Sequence, residues 1–344
     1  MVFRILTALA FALFANTRAL SAGNEAAQDT VVVNAEAEAA INGALKYLAA
    51  SQDSSGGWPS NPGARNVQHG VAMTGYVLMA FLAAGNLPEE GEYSKNVTLG
   101  MQFLLDQLQP DGTYRDPKGH DYMYSHGIAT IALAELYGQT RSPQIRPKLE
   151  RAIKLIIGAQ NKEGGWRYEP FPRDADISVT VLQVVALRAA KNAGLDVPQT
   201  TIDEAIKYVR SCWDEKKGAF AYRPHENPGF SRTAAAIYSL QVCGQYDDPL
   251  VLKGSEFLFK NRNDHQFYSY GHYYAAPAHY MIGGETWRLW YEGERAQILK
   301  EALRKGEHIH WDAARDGGPG SIFSTAVNVV ILAMPYHYVP LYQR

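Results

Sequence analysis

The feature that most constrains this chain is a short block written twice with identical spacing. Ala44-Leu45-Lys46-Tyr47-Leu48, three residues, Gln52, then Gly56-Gly57-Trp58 returns as Ala152-Ile153-Lys154-Leu155-Ile156, three residues, Gln160, then Gly164-Gly165-Trp166. Looser copies fill the rest of the chain. Met101 to Leu105 lead to Gln109, Asp111-Gly112 and Tyr114, and Ala205 to Val209 lead to Gly218-Ala219-Phe220, with Trp213 in the place of the glutamine. Glu256-Phe257-Leu258 precede Phe267-Tyr268, and Ile298-Leu299 precede Trp311. The aromatic landmarks at 58, 114, 166, 220, 267 and 311 are 56, 52, 54, 47 and 44 residues apart. A period of this size means stacked supersecondary units, each unable to bury its apolar face alone.

Each unit contains two helical stretches. The one before the landmark is amphipathic, with apolar residues at i, i+3 and i+4 spacing, and the one after it is apolar on nearly every side. Val71 to Ala84, Gly127 to Tyr137, Ile177 to Ala190, Thr233 to Cys243 and Ile322 to Met334 suit inner helices covered all round. An open stack of helix pairs needs capped ends, whereas six pairs closed on themselves need none. The expected fold is therefore all-α, an (α/α)6 toroid spanning residues 35–344.

The N-terminus reads as a separate signal. A basic start ending at Arg4, an apolar run from Ile5 to Ala15 and the small-residue site Ala19-Leu20-Ser21-Ala22 form a secretory signal peptide over 1–22, followed by a polar lead-in over 23–34. Export to the periplasm or beyond is expected, and contact with a membrane surface is compatible with it. With 33 Lys and Arg against 35 Asp and Glu, and no basic run interleaved with aromatics, nucleic acid is not an expected partner. Cys212 and Cys243 end successive antiparallel helices, so about twelve residues of rise hold them roughly 18 Å apart. That is too far for a disulfide. His308 and His310, beside Trp311 and Asp312, are better placed in a turn than in a metal site, and no metal or other cofactor is expected.

The Lys-Tyr-Leu-x3-Gln…Gly-Gly-Trp element resembles the Gln-Trp repeat of the prenyltransferase and squalene oxidase repeat family, to which squalene-hopene and oxidosqualene cyclases belong. The resemblance covers nearly the whole chain after the signal segment. It implies a terpenoid-cyclase-like toroid in which Gln and Trp tie outer helices to the adjoining turns, and an isoprenoid or other apolar small molecule as partner. The cyclases carry Asp-x-Asp-Asp-Thr-Ala at the start of an inner helix, whose middle carboxyl protonates the polyene. The similar place here reads Asp174-Ala175-Asp176-Ile177-Ser178, so the resemblance implies Asp176 as the acid with Asp174 beside it. The prenyltransferase zinc set and the thioester element of complement proteins are missing.

The starts of the inner helices should gather at one mouth of the ring. They offer His69, Tyr124 and His126, Asp174 and Asp176, Arg232, and His272 with Tyr273 as site residues. Three functions compete: a cyclase-like protein using Asp176; a non-catalytic exported scaffold or binding module recognising a protein, peptide or glycan; and an exported polysaccharide lyase, which needs Arg232, His272 and a tyrosine in one groove. An open, aromatic-lined cavity with Asp176 at its mouth is the mark of the first.

Overall fold

The computed structural model describes residues 31–61, 70–114, 122–263, 266–312 and 320–343. The expected signal segment, most of the expected lead-in and His69 lie outside these residues. The described part alternates outer and inner helices. The outer ones are α1 (Ala35–Ala50), α3 (Ser94–Gln107), α5 (Arg146–Gly158), α7 (Gln199–Ser211), α9 (Pro249–Lys260) and α11 (Gly284–Glu301). The inner ones are α2 (Gly70–Ala83), α4 (Tyr122–Thr140), α6 (Ile177–Asn192), α8 (Phe230–Val242), α10 (Tyr268–Ile282) and α12 (Ser321–Ala333). Each inner helix packs on the next, and α12 packs on both α2 and α1, so the six pairs close into the expected toroid. Two short antiparallel hairpins decorate it: β1 (Trp213–Asp214) with β2 (Ala219–Phe220), and β3 (Leu303–Lys305) with β4 (His308–His310). No helix among the described residues is long and apolar enough to cross a membrane.

Every residue of α2 is buried, as are nearly all of α8, α10 and α12. Outer helices such as α5 and α7 bury one stripe only. This is the difference between one-sided and all-round apolarity read from the sequence.

The repeated block works as a joint. Trp58 Nε1 donates to the carbonyl of Leu48 and Trp166 Nε1 to that of Ile156, both at 2.7 Å, and Trp311 Nε1 reaches Ile298 at 2.8 Å. These carbonyls lie in the last turn of an outer helix, where the Leu48 and Ile156 oxygens otherwise accept only from the helix-capping amides of Ser51 and Ala159. Gln52 Nε2 bridges the carbonyls of Gly56 (2.8 Å) and Asn96 (2.9 Å), and Gln160 Nε2 those of Gly164 and Thr201, both at 2.8 Å. Each glutamine thus sews its own turn to the start of the next outer helix. The first glycine of the pair has a positive φ, 87° at Gly56 and 93° at Gly164. A Cβ at Gly56 would sit 2.7 Å from the Leu99 carbonyl of α3, and one at Gly164 would strike the Glu204 carbonyl of α7. Backbone sign and close approach both require glycine there.

A fourth component has a weaker sequence signal. The landmark amide donates to a threonine one turn into the following inner helix: Trp58 to Thr74 (3.0 Å), Trp166 to Thr180 (3.1 Å), Phe220 to Thr233 (3.0 Å) and Trp311 to Thr325 (3.2 Å). Thr180→Val keeps the shape and removes the acceptor, leaving a buried N–H unpaired, and should cost about 1–3 kcal/mol. A urea midpoint unchanged from the parent would show that water replaces the hydroxyl.

Both cysteines are free; Cys212 is buried and Cys243 partly so. Burial pushes both thiols up to about 12, which leaves them unreactive.

Candidate functional site

Tyrosines cross the middle of the ring. Around the lumen the inner helices run α2, α4, α6, α8, α10, α12, so α4 and α10 face each other. Tyr124 of α4 nevertheless meets Tyr270 of α10, with ring centroids 6.4 Å apart. Tyr270 Oη donates to the Ser178 carbonyl of α6 at 2.9 Å. One layer deeper, Tyr76 of α2 packs edge-on against Tyr273 of α10 (5.4 Å) and Phe323 of α12 (4.8 Å). Tyr273 and Tyr274 are themselves in contact, and Tyr274 lies 6.2 Å from Tyr238 of α8. All five of these deeper rings are buried. The lumen along this path is packed side chain, where the cyclase expectation called for open apolar space. Ligand pockets usually run to about 300–1,000 Å³.

Above this plug the mouth is polar, and it is built from the turns after two landmarks. Asp176 is the N-cap of α6: Oδ1 accepts from the Val179 amide (2.9 Å) and from Ser178 Oγ, and Oδ2 stands 3.3 Å from Arg167 Nη1. Its side chain has no exposure at all. Burial raises its pKa; Ser178, the Val179 amide, Arg167 and the Tyr222 hydroxyl pull the other way and do not fully offset it. Arg167 also reaches Asp174 (3.5 Å), which is half-exposed and held from the other side by Arg223 (3.3 Å). The Arg167 guanidinium lies 4.8 Å over Tyr168 and 5.7 Å over Tyr222, whose hydroxyls are hydrogen-bonded to each other. Tyr168 in turn stacks on Tyr124 at 5.9 Å. The result is a cluster of tyrosine, arginine and aspartate in which Asp176 is wholly buried.

Of the expected site residues, Asp174, Asp176 and Tyr124 meet at this mouth. The other described ones do not join this cluster. Tyr273 lies in the lumen plug. His126 points outward between repeats, its Nε2 3.1 Å from the Ala152 carbonyl of α5 and its ring against Tyr114 and Tyr122. Burial lowers its pKa to about 4, so it is a neutral packing residue at pH 7. His272 also faces an outer helix. It is stacked against Tyr268, Phe230 and Trp290, with Nδ1 2.8 Å from Glu294 of α11. Arg232 donates to the carbonyl of Asn227 in its own turn (3.2 Å) rather than pairing with a neighbouring repeat's carboxylate. With His272 buried on the outer-helix side, the groove required of a lyase does not form. His310 stacks on Tyr47 at 4.8 Å, and no group of three His, Cys, Asp or Glu side chains among the described residues is arranged to hold a metal ion.

Sequence reasoning missed Arg167, Tyr168, Tyr222 and Arg223. A signal was present: Tyr168 and Tyr222 each stand two residues after a landmark, Trp166 and Phe220. The two turns feed the ring in the same way, since the Tyr168 carbonyl accepts from Met123 of α4 and the Tyr222 carbonyl from Ile177 of α6.

No family model matches the chain. A 172-residue stretch is 27% identical to drimenyl diphosphate synthase of Streptomyces showdoensis, taking in 49% of this chain and 30% of that protein. Among solved structures, the type II terpene cyclase MstE from Scytonema, in complex with geranylgeranyl dihydroxybenzoate, aligns over 88% of this chain and 98% of its own. The TM-score is 0.59 and the sequence identity 14%. A glycoside hydrolase family 76 mannosidase from Bacteroides thetaiotaomicron aligns over 88% and 98%, with TM-score 0.63 and 12% identity. At such identities these structures establish the fold, a terpenoid-cyclase-like α/α toroid, and the activity has to be argued from the site.

Proposed function

We propose that this chain is an exported terpenoid-cyclase-like toroid that binds a glycan at its mouth and does not cyclise a polyene. The Tyr124–Tyr270 contact across the ring carries this reading: it spans the lumen below a polar cluster of arginine, aspartate and tyrosine. Tyrosine faces and paired Arg–Asp groups suit a polyhydroxylated ligand, because the rings cover apolar sugar faces while guanidinium and carboxylate meet hydroxyls. Arg167 pairs with Asp174 and Asp176, and Arg223 with Asp174 and Glu226, so neither guanidinium lacks a carboxylate, which favours an uncharged ligand over an anionic one.

A second reading keeps the cyclase. Asp176 stands where the resemblance to the cyclases puts their acid, its pKa is raised by burial, and a stretch of about half the chain is similar to drimenyl diphosphate synthase. On that reading the tyrosine plug parts for an isoprenoid, and the Asp176 carboxyl protonates it from the mouth.

One preparation tests both. The chain from Gly23 onward, recovered from an exporting host, is titrated calorimetrically with neutral oligosaccharides. It is also incubated with squalene, farnesyl diphosphate and geranylgeranyl diphosphate, and the organic extract is analysed by mass spectrometry. Saturable oligosaccharide binding that weakens about tenfold in Tyr168→Ala, worth about 1.4 kcal/mol, is the expected result, with no cyclic product. A polycyclic product that disappears in Asp176→Asn would establish the cyclase instead.

A further inference from the structure

The ring has a second opening, at the C-terminal ends of the inner helices, and the chain closes it with its own last residues. After α12, two 3-10 turns (Met334–Tyr336 and Pro340–Tyr342) fold back under the ring, with a left-handed residue, His337 (φ 61°), between them. Val339, Leu341 and Tyr342 are buried, and the second turn packs on α6 and α10. His337 Nδ1 meets Tyr280 Oη of α10 at 2.6 Å. Beneath the segment a cavity of about 10 Å³ remains, lined in part by Ala83, Tyr280, Met334 and Tyr342. That is room for no more than about one water.

Under this cover lies a carboxyl group that the mouth does not use. Glu135 of α4 is 3% exposed. It accepts from the Leu341 backbone, while among the described residues its Oε2 meets no hydrogen-bond partner and the carboxyl forms no ion pair. The titratable groups that face it are Tyr238 of α8, Tyr273 of α10 and Tyr342 of the segment itself. Arg188 of α6 turns toward Tyr238 but is held by the Val242 carbonyl and Tyr246. The Tyr238 hydroxyl is also without a partner. A buried carboxylate lacking a cation is tolerated only when protonated.

We propose that residues 334–343 form a proton-controlled strap: they seal the far opening of the ring while Glu135 is neutral, and they lift when it ionises. Lifting brings the carboxyl to water and opens the lumen from the side opposite the mouth. Burial raises the Glu135 pKa from 4.5 to about 8 in the closed form. The closed form therefore holds the extra proton, so closure is strongest below about 4.5 and is lost as pH rises toward 8. With one proton released on opening, the opening equilibrium grows about tenfold per pH unit across that window. The three tyrosines stay neutral throughout, since burial pushes each well above its ordinary value.

Native-state hydrogen exchange on the full chain reads this directly. Protection factors of the Leu341 and Tyr342 amides, corrected for intrinsic exchange, should fall about tenfold per unit between pH 5 and 8. Amides in the middle of α8 should not change. In Glu135→Gln the slope should vanish. A flat wild-type profile, or the same slope in both proteins, overturns the strap. Should the variant fail to fold, the wild-type comparison between the strap and α8 decides alone.

Discussion

Glu294→Ala is expected to lower folding stability by about 3–5 kcal/mol, the usual cost of removing one partner from a buried ion pair. Glu294 sits on α11 with no exposed surface, 2.8 Å from His272 Nδ1 and 3.2 Å from Arg262 Nη2, and accepts from Tyr268 Oη at 3.2 Å. Deleting it strands His272 and part of Arg262 between inner and outer helices. The same cluster governs the acid limb of stability. Burial by itself would raise the Glu294 pKa, but His272 and Arg262 more than offset that, and it lies below the ordinary 4.5. A carboxyl depressed in the folded state contributes its full stabilisation above the unfolded value and loses it as pH falls through the folded one. Urea unfolding at pH 7 and pH 4 checks both statements. The parent should weaken at the lower pH more than the variant does, and a variant within 1 kcal/mol of the parent at pH 7 would mean that His272 has no need of its carboxylate.

Trp166→Ala should be comparably severe, about 3–5 kcal/mol for a large aromatic lost from a packed core. The indole is wholly buried, and its removal also takes away the shorter of the two hydrogen bonds to the Ile156 carbonyl, leaving only the Ala159 amide. Trp166→Phe restores most of the volume without the donor, so the difference between the two variants measures the packing contribution. If Trp58→Ala, in the identical joint of the first repeat, shows a much smaller loss, the joints are not equivalent.

The repeat and its closure were readable because the joint demands particular residue types at fixed spacing: a glycine for positive φ, an indole to reach a carbonyl in the last turn of the outer helix, an amide to span two turns. The division of the inner-helix starts between lumen and wall was not. Tyr124 and Tyr270 turn into the ring, whereas Tyr122 with His126, and Tyr268 with His272, lie four residues apart on faces packed toward the outer helices. An inner helix is apolar all round, so no amphipathic asymmetry tells one face from another. Histidines near the mouth in sequence therefore belong to the wall. Arg167 and Arg223 were passed over for the converse reason, because the turn residues that carry them have no periodicity to reveal a direction.

Closure also decides how the molecule comes apart. In an open stack each terminal unit can fray by itself, and stability is close to a sum over neighbours. Here the sixth pair meets the first with no peptide link across the seam. It is held by packing of α12 on α1 and α2, by Tyr47 to Ser321 (2.7 Å), by Lys46 to Glu307 (2.9 Å) and by Asn61 to the Ser321 amide (3.1 Å). Parting that seam uncovers two apolar flanks at once, so no single pair can leave without exposing its neighbours.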